Sequence, residues 1–257
     1  ITTYDDKKKI DNKKITKIKF DYIIISPGID INKCSLRKFL KNNLKKIYTD
    51  LDIFYSHHKE NNKITITGTN GKSTTAKILY EVLKDQKIDA RLVGNIGNPI
   101  LLEQNITNKT VFVIEVSSYQ LQYSKLFRSN ISLILNISPD HLERHKTISK
   151  YVTAKFKLVK NQFKNDLAIL NTKNFYIKRE IKLKTFLPKI IEVNKNISVN
   201  LLKKINNPYF NTKGNKENLT FVLEVAKILK LKKFFLYKTL KKFKGLKYRQ
   251  EIIFQSK

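Results

Sequence analysis

Gly68-Thr-Asn-Gly-Lys-Ser-Thr74 gathers the residue types that hold a polyphosphate. Gly68 and Gly71 lack a Cβ, so the backbone through Thr69 and Asn70 can bend tightly and turn successive N–H groups onto phosphate oxygens. Lys72 would reach the β- and γ-phosphates, and the Ser73 hydroxyl, next to Thr74, would hold Mg2+. The common P-loop spacing asks for a glycine where Ile66 stands, so the pattern leaves a plain glycine turn as the alternative. The flanking sequence favours the cradle. Residues 64–67 alternate as a strand does, and residues 73–84 carry Ile78, Leu79, Val82 and Leu83 on one side of a helix. That helix would aim its positive dipole end at the turn.

Two more positions could do chemistry. Glu115 closes the β-prone run 110–116. A carboxylate there is costly to bury unless it meets a cation, and Mg2+ takes oxygen ligands near phosphates, so Glu115 is a second metal ligand. The alternative is an exposed strand-end carboxylate. His141 follows the apolar run 131–137, within Ser138-Pro-Asp-His-Leu-Glu-Arg-His145. Beside Asp140 it could simply cap the next helix, but its place at a strand end favours a site.

These residues need a scaffold that brings strand ends together. Strands at 64–67, 90–93, 110–116 and 131–137 alternate with helices, which predicts right-handed crossovers, an α/β fold and a mainly parallel sheet. The site then lies along the carboxyl ends, where Gly68, Glu115 and His141 fall. The apolar run 21–28 reads as a buried strand stopped by Pro27-Gly28, and residues 34–44 as a packing helix through Leu36, Phe39, Leu40 and Leu44. Residues 49–54 read as a connector, His57-His58 as part of a solvated face, and residues 171–211 as lysine-rich strands and loops without chemistry.

Composition narrows the function classes. The chain has 257 residues, 41% of them hydrophobic, enough for a sizeable core. It has no run of about 18 apolar residues and no charged-then-apolar leader, so neither a membrane contact nor secretion is expected, and a cytoplasmic location is. Cys34 is the single cysteine, which excludes an internal disulfide, and the four histidines have no cysteine partners for a zinc site. A net charge of +31 suits a nucleic-acid binder. The lysines, however, are spread along the chain with abundant Ile and Asn, the signature of AT-rich coding, and no aromatic platform accompanies them. Ile1 and the absence of methionine read as the middle of a longer protein.

With these residues assembled, the chain resembles the Mur ligases of peptidoglycan synthesis. The resemblance is carried by Gly68–Thr74, Gly94-Asn-Ile-Gly97, Glu115-Val-Ser-Ser-Tyr-Gln-Leu121, Asn136-Ile-Ser-Pro-Asp-His-Leu-Glu-Arg-His145, Ala154-Lys155 and Gly245-Leu-Lys-Tyr-Arg-Gln-Glu251, in family order. The Glu-Val-Ser-Ser-Tyr-Gln form is similar to the branch that adds D-glutamate. The resemblance implies ATP and two Mg2+ ions, with Ser73 and Glu115 on the first, and His141 with a CO2-carboxylated Lys155 on the second. It makes Lys72, His141 and Lys155 catalytic. It puts Ser26, Pro27, Gly28 and Asn95 on the UDP-sugar substrate, and Asn215, Asn218 and Arg249 on ATP. Gly214 stands where the family has a histidine, and Tyr248 where it usually has another.

The implied reaction phosphorylates the carboxylate of UDP-N-acetylmuramoyl-L-alanine and passes the acyl group to D-glutamate, in a monomeric enzyme. Residues 1–46 would end an N-terminal substrate domain, 47–244 form the central ATP-binding domain, and 245–257 open a C-terminal one. Such a piece is expected to bind ATP without ligating by itself. Another muramoyl ligase, folylpolyglutamate synthase, and a basic nucleic-acid-binding module with a nucleotide site remain alternatives.

Overall fold

Parallel pairing organises the chain from its first strands. In the computed structural model, which describes residues 2–5, 12–195 and 197–246, β1 (Ile23–Ile24) lies beside β2 (Ile47–Tyr48). Around them Ile15, Ile25, Ile31, Cys34, Leu36, Leu40 and Ile47 form a small core of their own, with α1 (Asn12–Thr16) and α2 (Arg37–Asn42). The helix α3 (Asp50–His57) then leads into the larger body.

That body is one all-parallel sheet. Its strands are β3 (Asn62–Thr67), β4 (Ala90–Gly94), β5 (Val111–Glu115), β6 (Ile131–Ile134), β7 (Leu167–Asn171) and β8 (Lys189–Val193), in spatial order β4-β5-β3-β6-β7-β8. The chain leaves β3 toward β4 and β5 on one side, then crosses to β6 on the other. This is the reversal at which open α/β sheets form a crevice at their carboxyl ends.

Both faces are covered, as an all-parallel sheet requires. α4 (Lys72–Asp85), α5 (Ser118–Tyr123), α6 (Leu142–His145), α7 (Ile148–Lys160), α8 (Phe175–Leu183), α9 (Val199–Ile205), α10 (Lys213–Ile228) and α11 (Lys233–Lys242) follow in chain order. Val113 points into a core shared with α4, α10 and α11, while its neighbours Phe112 and Ile114 face α3 and α5. The alternation along one strand thus supplies two cores.

The expected α/β fold and parallel sheet are present; several local readings differ. Residues 49–54 are not a connector. Thr49 caps α3 through a reciprocal bond with Asp52, a capping box hidden behind an acidic, apolar composition. Within 171–211 the chain forms α8 and α9, whose Asn174 and Ser198 side chains cap the first turns. The strand expected over 21–28 pairs only at Ile23–Ile24, and the helix expected over 34–44 is confined to Arg37–Asn42. His57 is exposed, but His58 is partly buried, its ring 5.0 Å from that of Phe54.

Candidate nucleotide and metal site

Strand β3 ends at Thr67 and the chain turns through Gly68–Gly71 into α4. Gly71 has φ 84°, and a Cβ there would run into the Asn218 carboxamide, so only glycine lets α10 close on the turn. Asn136, just beyond β6, shapes the loop from the other side. Its carbonyl accepts the Thr69 N–H at 2.9 Å, its Oδ1 accepts the Asn70 N–H at 2.8 Å, and its Nδ2 donates to the Asn70 carbonyl at 3.1 Å. Thr69 Oγ1 receives the Ser138 N–H at 3.0 Å. Lys72 opens α4 with its ammonium folded back on the Thr69 carbonyl at 2.8 Å, and Ser73 is buried behind it.

Glu115 lies one strand away, in register with Ile66. It is only 1% exposed. One carboxylate oxygen accepts the Asn95 amide at 2.8 Å, while Oε2 is buried without a hydrogen-bond partner. Asn95 also donates its backbone N–H to the Glu115 carbonyl at 2.9 Å, and Gly94, at φ 103°, permits that approach. An orphaned, desolvated carboxylate oxygen is what a hard cation satisfies. Among the described residues no three His, Cys, Asp or Glu side chains gather to hold a metal unaided. A Mg2+ would therefore draw on Glu115, the Ser73 hydroxyl and phosphate oxygens, a donor set that fits.

Lys155, on α7, is buried at 1% exposure beneath the cradle. Its ammonium donates to the Gly68 carbonyl at 2.8 Å and lies 4.6 Å from the centre of the Tyr151 ring. Burial above all, then the Lys72 charge, pulls its pKa down to about 7, with Asp140 and Glu115 opposing.

His141 caps α6 in a left-handed conformation, φ 53°, and stays 44% exposed in its side chain. Its ring nitrogens are 3.5 Å from Asp140 and 3.7 Å from Glu143, and its ring centre is 6.3 Å from that of Tyr151, the same ring the Lys155 ammonium approaches. The next histidine is different in kind. His145 is buried on the Ser118 hydroxyl at 3.0 Å, and desolvation, with the Arg144 charge, pushes it down to about 4.

The remaining expected residues separate. Asn215 and Asn218 lie in the first turns of α10, which begins at Lys213. Asn218 faces the turn, but the Asn215 amide is spent on the Tyr209 carbonyl at 2.8 Å. The loop Ser26-Pro27-Gly28 reaches the body through Arg144. Arg249 and Tyr248 lie outside the described residues. Asn136, Tyr151 and Arg144 had no assigned role; the first and last stood inside a recognised motif, and Tyr151 carries no sequence signal.

The sheet, the glycine turn entering α4 and the carboxylate on the adjacent strand end define a P-loop-type nucleotide-binding α/β domain. A family model, the Mur ligase middle domain, matches residues 66–229. UDP-N-acetylmuramoylalanine--D-glutamate ligase of Rickettsia bellii is 35% identical over 253 residues, covering 91% of this chain and 56% of that protein. The protein of the same name in Clostridioides difficile is 32% identical over 253 residues, at 91% and 55%. The chain thus spans about half the length of the curated relatives it matches. Among solved structures, UDP-N-acetylmuramate:L-alanyl-gamma-D-glutamyl-meso-diaminopimelate ligase from Neisseria meningitides aligns with TM-score 0.62 at 13% identity, over 91% of this chain and 82% of that one. MurF ligase from Thermotoga maritima in complex with ADP aligns with TM-score 0.54 at 13% identity, over 82% and 60%. The chain belongs to the Mur ligase family.

Proposed function

We propose that this chain is the ATP-binding core of a cytoplasmic, ADP-forming ligase that joins D-glutamate to UDP-N-acetylmuramoyl-L-alanine. The observation that carries the reading is the union of an orphaned Glu115 oxygen with a buried, pKa-lowered Lys155 at the floor of a phosphate cradle. The relatives' shared name supports the choice of amino acid.

The amide cannot form from a free carboxylate, which must first become an acyl phosphate. The acceptor carboxylate and the γ-phosphate are both anions, and two unit charges about 4 Å apart repel by roughly 4 kcal/mol at an effective dielectric of about 20. Lys72, swinging off the Thr69 carbonyl, would meet the phosphates and reduce that repulsion. Bound Mg2+, held by Ser73 and Glu115, would supply the rest of the neutralising charge. His141 and a carboxylated Lys155 would face the transferring group. Lys155 is suited to that modification: with its pKa near 7 much of it is the free amine. Its nitrogen pair attacks the carbon of CO2, a C–N bond forms, one C=O pair moves to oxygen, and an amine proton leaves to solvent. A buried cation becomes an oxygen donor. We assign residues 1–46 to the end of an N-terminal substrate domain, 47–244 to the central domain and 245–257 to the start of a third.

The test begins with the nucleotide. The chain should bind ATP with Mg2+, and Lys72→Ala should lose that binding with its circular dichroism unchanged. With the further residues of its relatives supplied, ADP release should require D-glutamate and UDP-N-acetylmuramoyl-L-alanine together. Release driven by folate substrates or by another amino acid would overturn the assignment.

A further inference from the structure

Arg144 is only 8% exposed, yet among the described residues no carboxylate pairs with it directly. Its Nε donates to the Gln122 amide oxygen at 3.0 Å. Its two terminal nitrogens then spread across three consecutive carbonyls of the loop after β1. Nη1 reaches Gly28 at 3.3 Å, and Nη2 reaches Pro27 at 3.4 Å and Ile29 at 2.5 Å. The rings of Tyr119 and Tyr123 lie 5.1 and 5.7 Å from the guanidinium carbon. A planar five-donor fork can serve three diverging acceptors in this way; a lysine ammonium, a point charge, cannot reproduce it.

Two geometric consequences follow. In a trans peptide the carbonyl and the next N–H point in opposite directions, so carbonyls drawn to Arg144 turn the amides of Gly28, Ile29 and Asp30 away from it. The Ile29 amide closes a tight turn on the Ser26 carbonyl at 3.0 Å. The other two are left on the face opposite the cation, in a form suited to anionic oxygens. Arg144 also sits in the same helical turn as His141, whose carbonyl accepts the Arg144 N–H at 3.1 Å. One side chain therefore ties the amide face of the 26–29 loop to the turn carrying His141.

We propose that Arg144 is a positioning residue for the uridine-nucleotide substrate: it holds the 26–29 loop with its amides set for the diphosphate and fixes their distance from His141. This rests on the acceptor proposed above. A second tether gives the control, because Lys125 donates to the carbonyls of Leu44 and Lys45 at 2.6 and 3.0 Å and touches neither the loop nor the site.

Hydrogen exchange on the free protein tests the hold without any substrate. Charge-assisted bonds of this kind are worth enough that Arg144→Ala should speed exchange at residues 28–30 by about tenfold or more, Arg144→Lys nearly as much, and Lys125→Ala not at all. Calorimetry with UDP-N-acetylmuramoyl-L-alanine should show affinity falling by a similar factor in both Arg144 variants, with ATP affinity within about twofold of wild type. Unchanged exchange in a folded Arg144→Ala, or faster exchange with full UDP-sugar affinity, overturns the proposal. A wild-type protein that binds ATP but no UDP-sugar would instead remove the acceptor reading, while the exchange comparison still decides whether Arg144 holds the loop.

Discussion

Lys155 is expensive to keep charged where it sits, and the cost is measurable. Its folded pKa is near 7 against the ordinary 10.5, with burial as the main cause. The sign follows: between those values the unfolded chain holds a proton that the folded chain has released, so stability rises with pH. From pH 7 to 9 in CO2-free buffer this single group should add about 2 kcal/mol to the unfolding free energy. Lys155→Met keeps the volume and deletes the titration, so its stability should rise less over that interval by the same amount. Urea midpoints at the two pH values read the difference, and parallel pH dependence in wild type and variant would contradict the assigned environment. Below pH 7 both states carry the proton and the penalty is full. Nothing in the sequence marks this lysine among its many neighbours. Desolvation is a property of what α7 packs against, so composition and spacing alone could not have selected it.

Where α4 and α10 meet, the glycines of two elements make opposite demands. Gly71 is left-handed and pressed by Asn218, so Gly71→Ala adds about 1–2 kcal/mol of backbone strain and pushes the Asn218 carboxamide aside. A lowered melting temperature and lost ATP binding are expected together. Gly214, in the first turn of α10, has open space around its Cβ position, so Gly214→Ala should instead raise stability by about 0.5–1 kcal/mol and leave ATP binding intact. Differential scanning calorimetry separates the two, and equal losses would mean that the α10 start is not helical. The elements legible beforehand were those with strong apolar periodicity: β3, α4, β5 and β6 fall within a residue or two of expectation, apart from the shorter β6. The misread ones are set by side-chain caps. Thr49 with Asp52 starts a helix where a connector was expected, and Asn174 and Ser198, accepting the Ile177 and Leu201 N–H groups, start helices where strands and loops were expected. The strand ends bearing Gly68, Glu115 and His141 were legible because parallel topology puts them on one edge. The pinning by Asn136 and Arg144 was not, since it depends on loop conformation.

The whole molecule carries +31, and the two explanations for that charge predict different behaviour. A dedicated nucleic-acid surface would combine a basic groove with successive stacking aromatics. Among the described residues the exposed aromatics Tyr22, Phe163, Phe175 and Phe234 lie on separate segments of the chain. Cations of the candidate site are engaged locally: Lys72 on the Thr69 carbonyl, Lys155 on that of Gly68, and Arg144 on the 27–29 carbonyls. The dispersed surplus should still attract DNA at low salt by counterion release alone. Such binding weakens by about three to five orders of magnitude between roughly 50 and 200 mM salt when some 6–10 phosphates are contacted. Fluorescence anisotropy of a labelled duplex should therefore show association that vanishes across that range, whatever the DNA sequence, while ATP binding measured in the same solutions changes far less. Tight duplex binding that survives about 200 mM salt and is displaced by ATP would make the charge functional, and would turn the cradle from a ligase site into part of a nucleic-acid interface.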